Sequence, residues 1–311
     1  MVAWPIAAQA QQPAMPVIGY LSSAASGSYA PSEFHQGLSQ AGFVEGRNVA
    51  IEYHWADGQY DRLPALAADF VRRQVTVIAA STGPSALAAK AATTTIPIVF
   101  STALDPIEFG LGGSLSRPGG NVTGVTSLSL DQGAKRLEML HELVPTAAVI
   151  ALLINPTAPN AEAQTSRMQA AARTLGIELP VLHASSERDF DAAFTKLAQV
   201  RAGGLVIAQD VFFGSRTKQI VALTVRHAVP AIATSRDFPV AGGLISYPGT
   251  NTDTLRQFGI YVGRILKGEK PADLPIMQPT KFNLVINMKT AKAIGLDVPA
   301  TVLVRADELI E

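Results

Sequence analysis

Short apolar runs alternate with amphipathic segments along most of the chain. The run at 15–21 is rich in β-branched and aromatic residues, and the segment at 31–41 places apolar residues at helical spacing. After residue 131 the alternation starts again, and the continuous apolar run at 147–154 is typical of a parallel strand covered on both faces. Strands and helices that alternate at this length predict an α/β protein with parallel sheets and right-handed crossovers.

A glycine-rich stretch, Pro118–Asp131, separates the two halves. Its glycines give backbone freedom and its valines favour extended structure, so we interpret it as a strand that crosses from one lobe to a second. Two more crossings are expected near Ser246–Gly249 and Thr280–Leu284, and together the three make a hinge. The alternative is a glycine-rich loop within one large domain, but a length of 311 residues favours two cores.

The predicted fold is therefore α/β, with two Rossmann-like lobes that contain parallel sheets and are joined by a three-strand hinge. We expect residues 15–124 and 247–281 to form the N-terminal lobe. Residues 125–246 and 282–311 are expected to form the C-terminal lobe, with residues 1–14 as a tail outside both.

Composition narrows the possible classes of function. Hydrophobic residues make up 48% of the chain and charged residues 16%, which allows a sizeable core and excludes a disordered chain. The formal net charge is zero and no run of Lys or Arg occurs, so we expect no nucleic-acid partner. The absence of cysteine excludes disulfides, thiol catalysis and metal sites with cysteine ligands.

The N-terminus resembles the end of an export signal. Ala8 and Ala10 fit the small-x-small pattern of a signal-peptidase site, whereas no Lys or Arg precedes Arg47. We interpret residues 1–14 as the remnant of an export signal followed by a tail, and we expect a periplasmic protein. The alternative is a disordered N-terminal tail. No later stretch reaches the ~18 apolar residues of a membrane span.

Open α/β sheets bind ligands beyond the carboxyl ends of their strands. In this chain the loops at those ends carry mostly small hydroxyl and amide residues, with an acidic residue in each half. Such loops suit a small polar ligand held by neutral hydrogen bonds and one or two carboxylates. The predicted ligand-binding residues are Ser22, Ser81, Thr82, Thr102, Asp105, Asn155, Thr157, Asp210, Phe212, Ser235 and Tyr247.

These residue types suggest different roles in the cleft. Ser81 or Thr82 can cap the helix that follows, and its free N–H groups would then receive a carboxylate. Asp210 or Asp105 could pair with an amine, and Phe212 could cover an apolar group. Structural alternatives stay open for each: a simple helix cap for the hydroxyl residues, a plain turn at Asp105, and a core position for Phe212.

The sequence lacks the common signatures of enzymes. No glycine-rich dinucleotide loop or Walker loop follows a strand, and His141 is not followed by the second histidine that a zinc-binding helix needs. The 5 histidines fall on separate elements, where a structural role is the simpler interpretation. We therefore predict a protein that is not an enzyme and has no catalytic residue, no metal site and no cofactor.

Several segments resemble the solute-binding family of ABC importers typified by the tryptophan/tyrosine-type binding proteins. The similar segments are Asp57–Pro64, Pro118–Val125, Lys135–Leu140, Gly242–Tyr247, Tyr261–Pro275 and Gln278–Asn287. The resemblance covers the chain from Met15 to its end. It implies a type I periplasmic-binding-protein fold, with ligand held between two lobes and no catalysis. It also implies ligand contacts at Ser81, Thr82, Asp105, Asn155, Asp210 and Tyr247.

The expected function is that of an extracytoplasmic binding protein. By this reading it closes on a small polar ligand by a hinge motion and delivers the ligand to the membrane permease of an ABC importer. An amino acid or related compound is expected, although the loops would also fit a small sugar or a purine-like molecule, and we expect a monomer. The alternatives are a ligand-sensing regulator of the same fold and an α/β enzyme that uses the cleft.

Overall fold

The computed structural model describes residues 15–26, 32–127, 132–247, 252–278 and 283–311, which form two lobes, each built around its own β-sheet. Helices flank both sheets, and nearly all neighbouring strands are parallel. This architecture confirms the predicted α/β fold with two lobes.

The first lobe contains a five-stranded parallel sheet. Its elements are β1 (Val17–Ser22), α1 (Ser32–Gln40), β2 (Ala50–Trp55), α2 (Leu63–Arg72), β3 (Val77–Ala80), α3 (Gly83–Ala92), β4 (Ile98–Thr102) and β5 (Val122–Thr126). The strand order across the sheet is β2-β1-β3-β4-β5, and every pair is parallel. The carboxyl ends of all five strands therefore meet at one edge of the lobe.

The second lobe repeats this winding. Its elements are α4 (Gly133–Leu143), β6 (Ile150–Ile154), α5 (Ala161–Leu175), β7 (Val181–His183), α6 (Asp189–Gln199), β8 (Gly204–Ile207), α7 (Val211–Ser215), α8 (Thr217–Arg226), β9 (Ala231–Ala233), α9 (Asp237–Val240) and β10 (Ile245–Ser246). The order β7-β6-β8-β9-β10 matches that of the first sheet position by position. The two halves of the sequence share the same alternation of apolar runs and amphipathic segments because both fold with this strand order.

The last part of the chain contributes to both lobes. Its elements are α10 (Thr252–Leu266), a 3-10 turn (Pro271–Asp273), β11 (Val285–Asn287), α11 (Met288–Ala293), α12 (Ala300–Leu303) and β12 (Glu308–Ile310). Helix α10 packs on α1 in the first lobe, whereas β11 and β12 extend the second sheet, with β11 antiparallel to β10. Within the described ranges, no helix is long and apolar enough to cross a membrane.

The chain passes between the two sheets three times: after β5, after β10 and before β11. Of the three predicted crossings, residues 128–131, 248–249 and 280–282 lie outside the described residues, as does the predicted export-signal remnant. The described residues next to the first two crossings belong to the following sheets. Strand β5 stays in the first sheet as far as Thr126, and the backbone N–H of Tyr247 donates to Ala233 of the second lobe at 3.1 Å.

Each sheet is covered by apolar side chains on both faces. In the first lobe, Phe70 and Phe100 belong to the cluster on one face, and Tyr20, Phe34 and Phe258 belong to the cluster on the other. The second lobe has two clusters of the same kind. Burial of one such phenylalanine contributes about 1.5–3 kcal/mol, so each lobe has its own hydrophobic core and can move as a unit.

One helix begins earlier than the sequence pattern predicts. The apolar spacing of residues 215–227 predicts one helix, whereas the structure has two helices in this region, α7 and α8. The extra turn forms because the Asp210 carboxylate accepts a hydrogen bond from the backbone N–H of Phe212 at 2.8 Å and so caps α7. This cap fixes Asp210 at the carboxyl end of β8.

The packing of α1 on α10 generates a stability prediction. A methyl group at Gly37 would lie 1.9 Å from the backbone oxygen of Arg256, and one at Gly259 would lie 2.1 Å from that of Phe34. Gly37→Ala should therefore lower the free energy of unfolding by about 1–3 kcal/mol, because overpacking outweighs the ~0.5–1 kcal/mol that alanine gains in a helix. Denaturant unfolding measures this, with the exposed Ser39→Ala on the same helix as control. A Gly37→Ala protein more stable than wild type would contradict the packing.

Candidate functional site

A cavity of about 100 Å³ lies between the lobes, at the carboxyl ends of both sheets. Both lobes contribute to its walls, and most of the polar groups are neutral. The lining residues are Tyr60, Ser81, Thr82, Gly83, Pro84, Ser101, Thr102, Ala103, Leu104, Ser127, Asn160, Gln209, Asp210, Val211 and Thr254.

The start of α3 forms part of the first-lobe wall. Thr82 is the N-cap residue, and its side chain and that of Ser85 exchange hydrogen bonds with the backbone in a capping box. Gly83 follows because nothing larger fits: a methyl group there would lie 2.5 Å from Leu104 Cδ1 and 2.8 Å from Thr102 Oγ1. The helix start is thereby pressed against the loop after β4, and its positive dipole end faces the cavity.

Asp210 is the central polar group of the second-lobe wall. Its Oδ2 accepts a hydrogen bond from the Tyr60 hydroxyl of the first lobe at 2.7 Å. Asn155 Nδ2 approaches both carboxylate oxygens from within the second lobe, at 3.3 and 3.4 Å. The Asp210 carboxylate is thus held by its own helix, by a neighbouring loop and by the opposite lobe.

The surroundings of this pair shift both of its pKa values. Burial raises the pKa of Asp210 above its usual value, while hydrogen bonds from Tyr60, Asn155 and the backbone of α7 oppose the shift. Burial, followed by the adjacent Asp210, raises the pKa of the Tyr60 hydroxyl as well. The Tyr60 hydroxyl therefore stays protonated at neutral pH and donates to Oδ2 of Asp210.

The charge distribution in the cavity is simple. Among the lining residues that the structure describes, Asp210 has the only carboxyl group and no Lys, Arg or His is present, while the other polar atoms belong to hydroxyl, amide and backbone groups. A second contact between the lobes lies outside the cavity, where Arg167 of α5 forms an ion pair with Glu108 of the first lobe. The two interlobe contacts hold the lobes together around the cavity.

The structure brings four of the predicted residues together. Ser81, Thr82, Thr102 and Asp210 all line the cavity. Asn155 is close behind them, buried, and donates to Asp210. The carboxyl-end rule thus selected groups that do meet, although they come from positions up to about half the chain apart.

Six other predicted residues point elsewhere. Ser22 accepts from its neighbour Ala24, Thr157 donates to the Asn155 side chain, and the Asp105 carboxylate closes a local turn by accepting from the N–H of Ile107 at 2.8 Å. Phe212 stacks on Phe190 in the second-lobe core, Ser235 lines a smaller neighbouring cavity, and Tyr247 packs against the core of the second lobe. The plain alternatives for Asp105 and Phe212 match these contacts.

Tyr60 is one of several lining residues that the prediction did not include. It lies in a 3-10 turn that follows β2, and its partner Asp210 is 150 positions away in the chain. The carboxyl-end rule, applied to β2 as it was to the other strands, would have included this turn. Asn160 and Gln209, which flank the predicted loops of the second lobe, complete the amide groups of the cavity.

Sequence comparison identifies relatives across almost the whole chain. A family model described as ABC transporter substrate binding protein matches residues 23–310. A tyrosine-binding protein of Clostridioides difficile (strain R20291) is 28% identical over 265 residues, which is 85% of this chain and 75% of the relative.

Solved structures share the fold. A conserved domain protein from Vibrio cholerae O1 biovar eltor matches with a TM-score of 0.84 and 26% identity, over 95% of this chain and 99% of that one. An ABC domain from Streptococcus pneumoniae in complex with L-Trp matches with a TM-score of 0.81 and 22% identity, over the same 95% and 99% of the two chains.

Two α/β lobes of matching strand order, with a polar cavity at their facing edges, define the type I periplasmic-binding-protein fold. Within that class, the chain belongs to the ABC transporter substrate-binding protein family. The predicted resemblance is confirmed. Because this family consists of binding proteins, the prediction that the chain is not an enzyme is confirmed too. Proteins of this family act outside the cytoplasm.

The contact between Tyr60 and Asp210 generates a conformational prediction. Tyr60→Phe removes a hydrogen bond to a charged group, worth about 1.5–3 kcal/mol, and should shift the balance of closed and open forms toward the open form by roughly 10- to 150-fold. Small-angle X-ray scattering of the ligand-free protein should then show a larger radius of gyration. Tyr53→Phe, which loses a hydroxyl bonded within the first lobe at 2.9 Å, is the control. An unchanged radius for Tyr60→Phe would contradict a role in closure.

Proposed function

We propose that this protein is the solute-binding component of an ABC importer, that it binds an amino acid between its lobes, and that the closed complex is recognised by the membrane permease. The observation that carries the proposal is Asp210, the one charged side chain among the described cavity residues, held at the interface of the lobes. A periplasmic location accords with the family and with the residues at Ala8 and Ala10.

An amino acid complements this cavity at both of its charged ends. The ammonium group would pair with Asp210, the only anion that the described lining provides. No Lys, Arg or His lines the cavity within the described chain, so the carboxylate would depend on neutral donors. The start of α3 lies on the opposite wall, where the backbone N–H of Gly83 and the helix dipole would receive the carboxylate. Pro84 has no N–H, and the N–H of Ser85 already donates to Thr82 Oγ1.

The rest of the lining favours an uncharged side chain on the ligand. Pro84, Leu104 and Val211 provide the larger apolar surfaces, and a second charge on the ligand would find no partner among the described lining residues. Aromatic or branched amino acids satisfy this requirement. The relatives agree, because one is a tyrosine-binding protein and another was solved with L-Trp bound.

Closure follows from the position of the cavity. A ligand that touches both lobes stabilises the arrangement in which Tyr60 reaches Asp210 and Glu108 reaches Arg167, since separated lobes would break both contacts. A monomer suffices for this mechanism, because both walls of the cavity come from one chain. The three crossings between the sheets allow bending while they keep the lobes connected.

Asp210→Asn tests the proposal. The change keeps the size of the side chain but removes the charge that pairs with ammonium, so affinity should fall by roughly 10- to 150-fold, equivalent to about 1.5–3 kcal/mol. Isothermal titration calorimetry with L-tyrosine, L-tryptophan, L-phenylalanine and L-leucine measures this. Asp105→Asn, in a turn outside the cavity, should bind like wild type. Wild-type protein that binds none of these amino acids, or an Asp210→Asn protein of unchanged affinity, would contradict the proposal.

A further inference from the structure

Asn155 lies one layer behind the cavity, directly after strand β6, and only 1% of its surface is exposed. Its amide nitrogen points at the carboxylate of Asp210, at 3.3 Å from Oδ1 and 3.4 Å from Oδ2. Its amide oxygen accepts from the backbone N–H of Thr157 at 3.1 Å and from Thr157 Oγ1 at 2.8 Å. These two bonds to Thr157 fix which end of the amide faces Asp210.

We propose that Asn155 is a positioning residue that keeps the carboxylate of Asp210 charged and aimed into the cavity while the lobes open and close. It does not line the cavity itself, so it would act on the ligand only through Asp210. The effect on affinity rests on the proposed function, because it requires a cationic group of the ligand at Asp210. The effect on Asp210 itself does not depend on any ligand.

The charge on Asp210 needs such support because its surroundings offer little else. Two cavities adjoin Asp210, and among their described lining residues Tyr60 is the only other titratable side chain. The nearest elements of both lobes otherwise present Ser, Thr, Asn, Gln and apolar groups, and Arg216 at the end of α7 is paired with Glu187. Burial raises the pKa of Asp210, and only hydrogen-bond donors counteract it.

Asn155 differs from the other side-chain donor in one respect. Tyr60 belongs to the opposite lobe, so its contact with Asp210 is lost whenever the lobes separate. Asn155 follows β6 and Asp210 follows β8, and these strands are neighbours in one sheet. Its contact therefore persists in the open protein, which is the form that a ligand enters. In the open form, Asn155 would therefore stabilise the charge of Asp210 before closure brings Tyr60 into contact with it.

The chemistry of the amide explains why asparagine suits this position. An aspartate at 155 would place a second negative charge beside Asp210 and raise the pKa of the pair, whereas leucine would have a similar size but no donor. A positively charged residue would form an ion pair with Asp210 and compete with the ligand for it. A neutral donor stabilises the charge of Asp210 and leaves it available.

The test follows the titration of the Asp210 carboxyl carbon by NMR in the ligand-free protein. In Asn155→Leu the titration midpoint should move upward by roughly one to two pH units, which corresponds to one hydrogen bond to a charged group. Thr157 is exposed, and its hydroxyl forms one of the two hydrogen bonds that orient Asn155. Thr157→Val should therefore move the Asp210 midpoint upward as well, but by less. Asn121→Leu is the matched control, because its amide donates to two backbone carbonyls in the first lobe.

Binding of L-tyrosine and L-tryptophan, measured between pH 5 and pH 8, gives the second readout. Once pH falls below the midpoint of Asp210, affinity should decline by roughly tenfold per pH unit, and in Asn155→Leu this decline should begin at higher pH. Asp210→Asn, which lacks the titrating group, should show no such decline. An Asp210 midpoint that is unchanged in Asn155→Leu overturns the inference, as does a loss of affinity that is equal at every pH. If wild type binds neither amino acid, the proposed function fails, while the NMR midpoint still decides the role of Asn155.

Discussion

A single carboxylate, that of Asp210, must stay charged in a partly buried cleft, and much of the cavity depends on how this is achieved. This carboxylate caps α7 by accepting a hydrogen bond from the backbone. It also accepts hydrogen bonds from Asn155 in the same lobe and from the Tyr60 hydroxyl of the opposite lobe, the latter at 2.7 Å. Removal of any one donor leaves the others in place, so the cost is spread over several modest bonds. The same carboxylate thereby links the capping of a helix to the contact between the lobes and, in the proposed function, to the recognition of a cation.

The fold places these groups together through a simple property of parallel sheets. Both lobes wind in the same strand order, so the carboxyl ends of each sheet form one polar edge, and the two edges face each other across the cavity. Each lobe has hydrophobic clusters on both faces of its sheet, and the interlobe contacts inside and beside the cavity are polar. Motion between the lobes therefore disturbs few apolar contacts, whereas motion within a lobe would disturb many. Helix α10 belongs to the first lobe, where it packs on α1.

The sheets and part of the site could be predicted from the sequence because they depend on patterns formed by residues close together in the chain. Continuous apolar runs and helical spacing are local signals, and the carboxyl ends of strands follow from them. The residues predicted by this rule include four that line the cavity: Ser81, Thr82, Thr102 and Asp210. Tyr60 could not be paired with Asp210 in this way, because the contact depends on how two separately folded lobes approach each other. The prediction placed Phe212 in the cleft, whereas its ring stacks on Phe190. Helix α7 directs the ring there, and this short helix depends on the Asp210 cap rather than on a periodic sequence pattern. Strand β12 was not predicted, because its three residues are too few for an alternating pattern to be recognised.

The central claim is that an amino acid binds between the lobes with its ammonium group on Asp210. A crystal structure of the protein with L-tyrosine or L-tryptophan tests it most directly. The account predicts ligand density in the cavity between the lobes, with the ligand nitrogen within about 3 Å of the Asp210 carboxylate and the ligand carboxylate at the start of α3. Density at another place, or an amino acid bound with its nitrogen away from Asp210, would contradict the account.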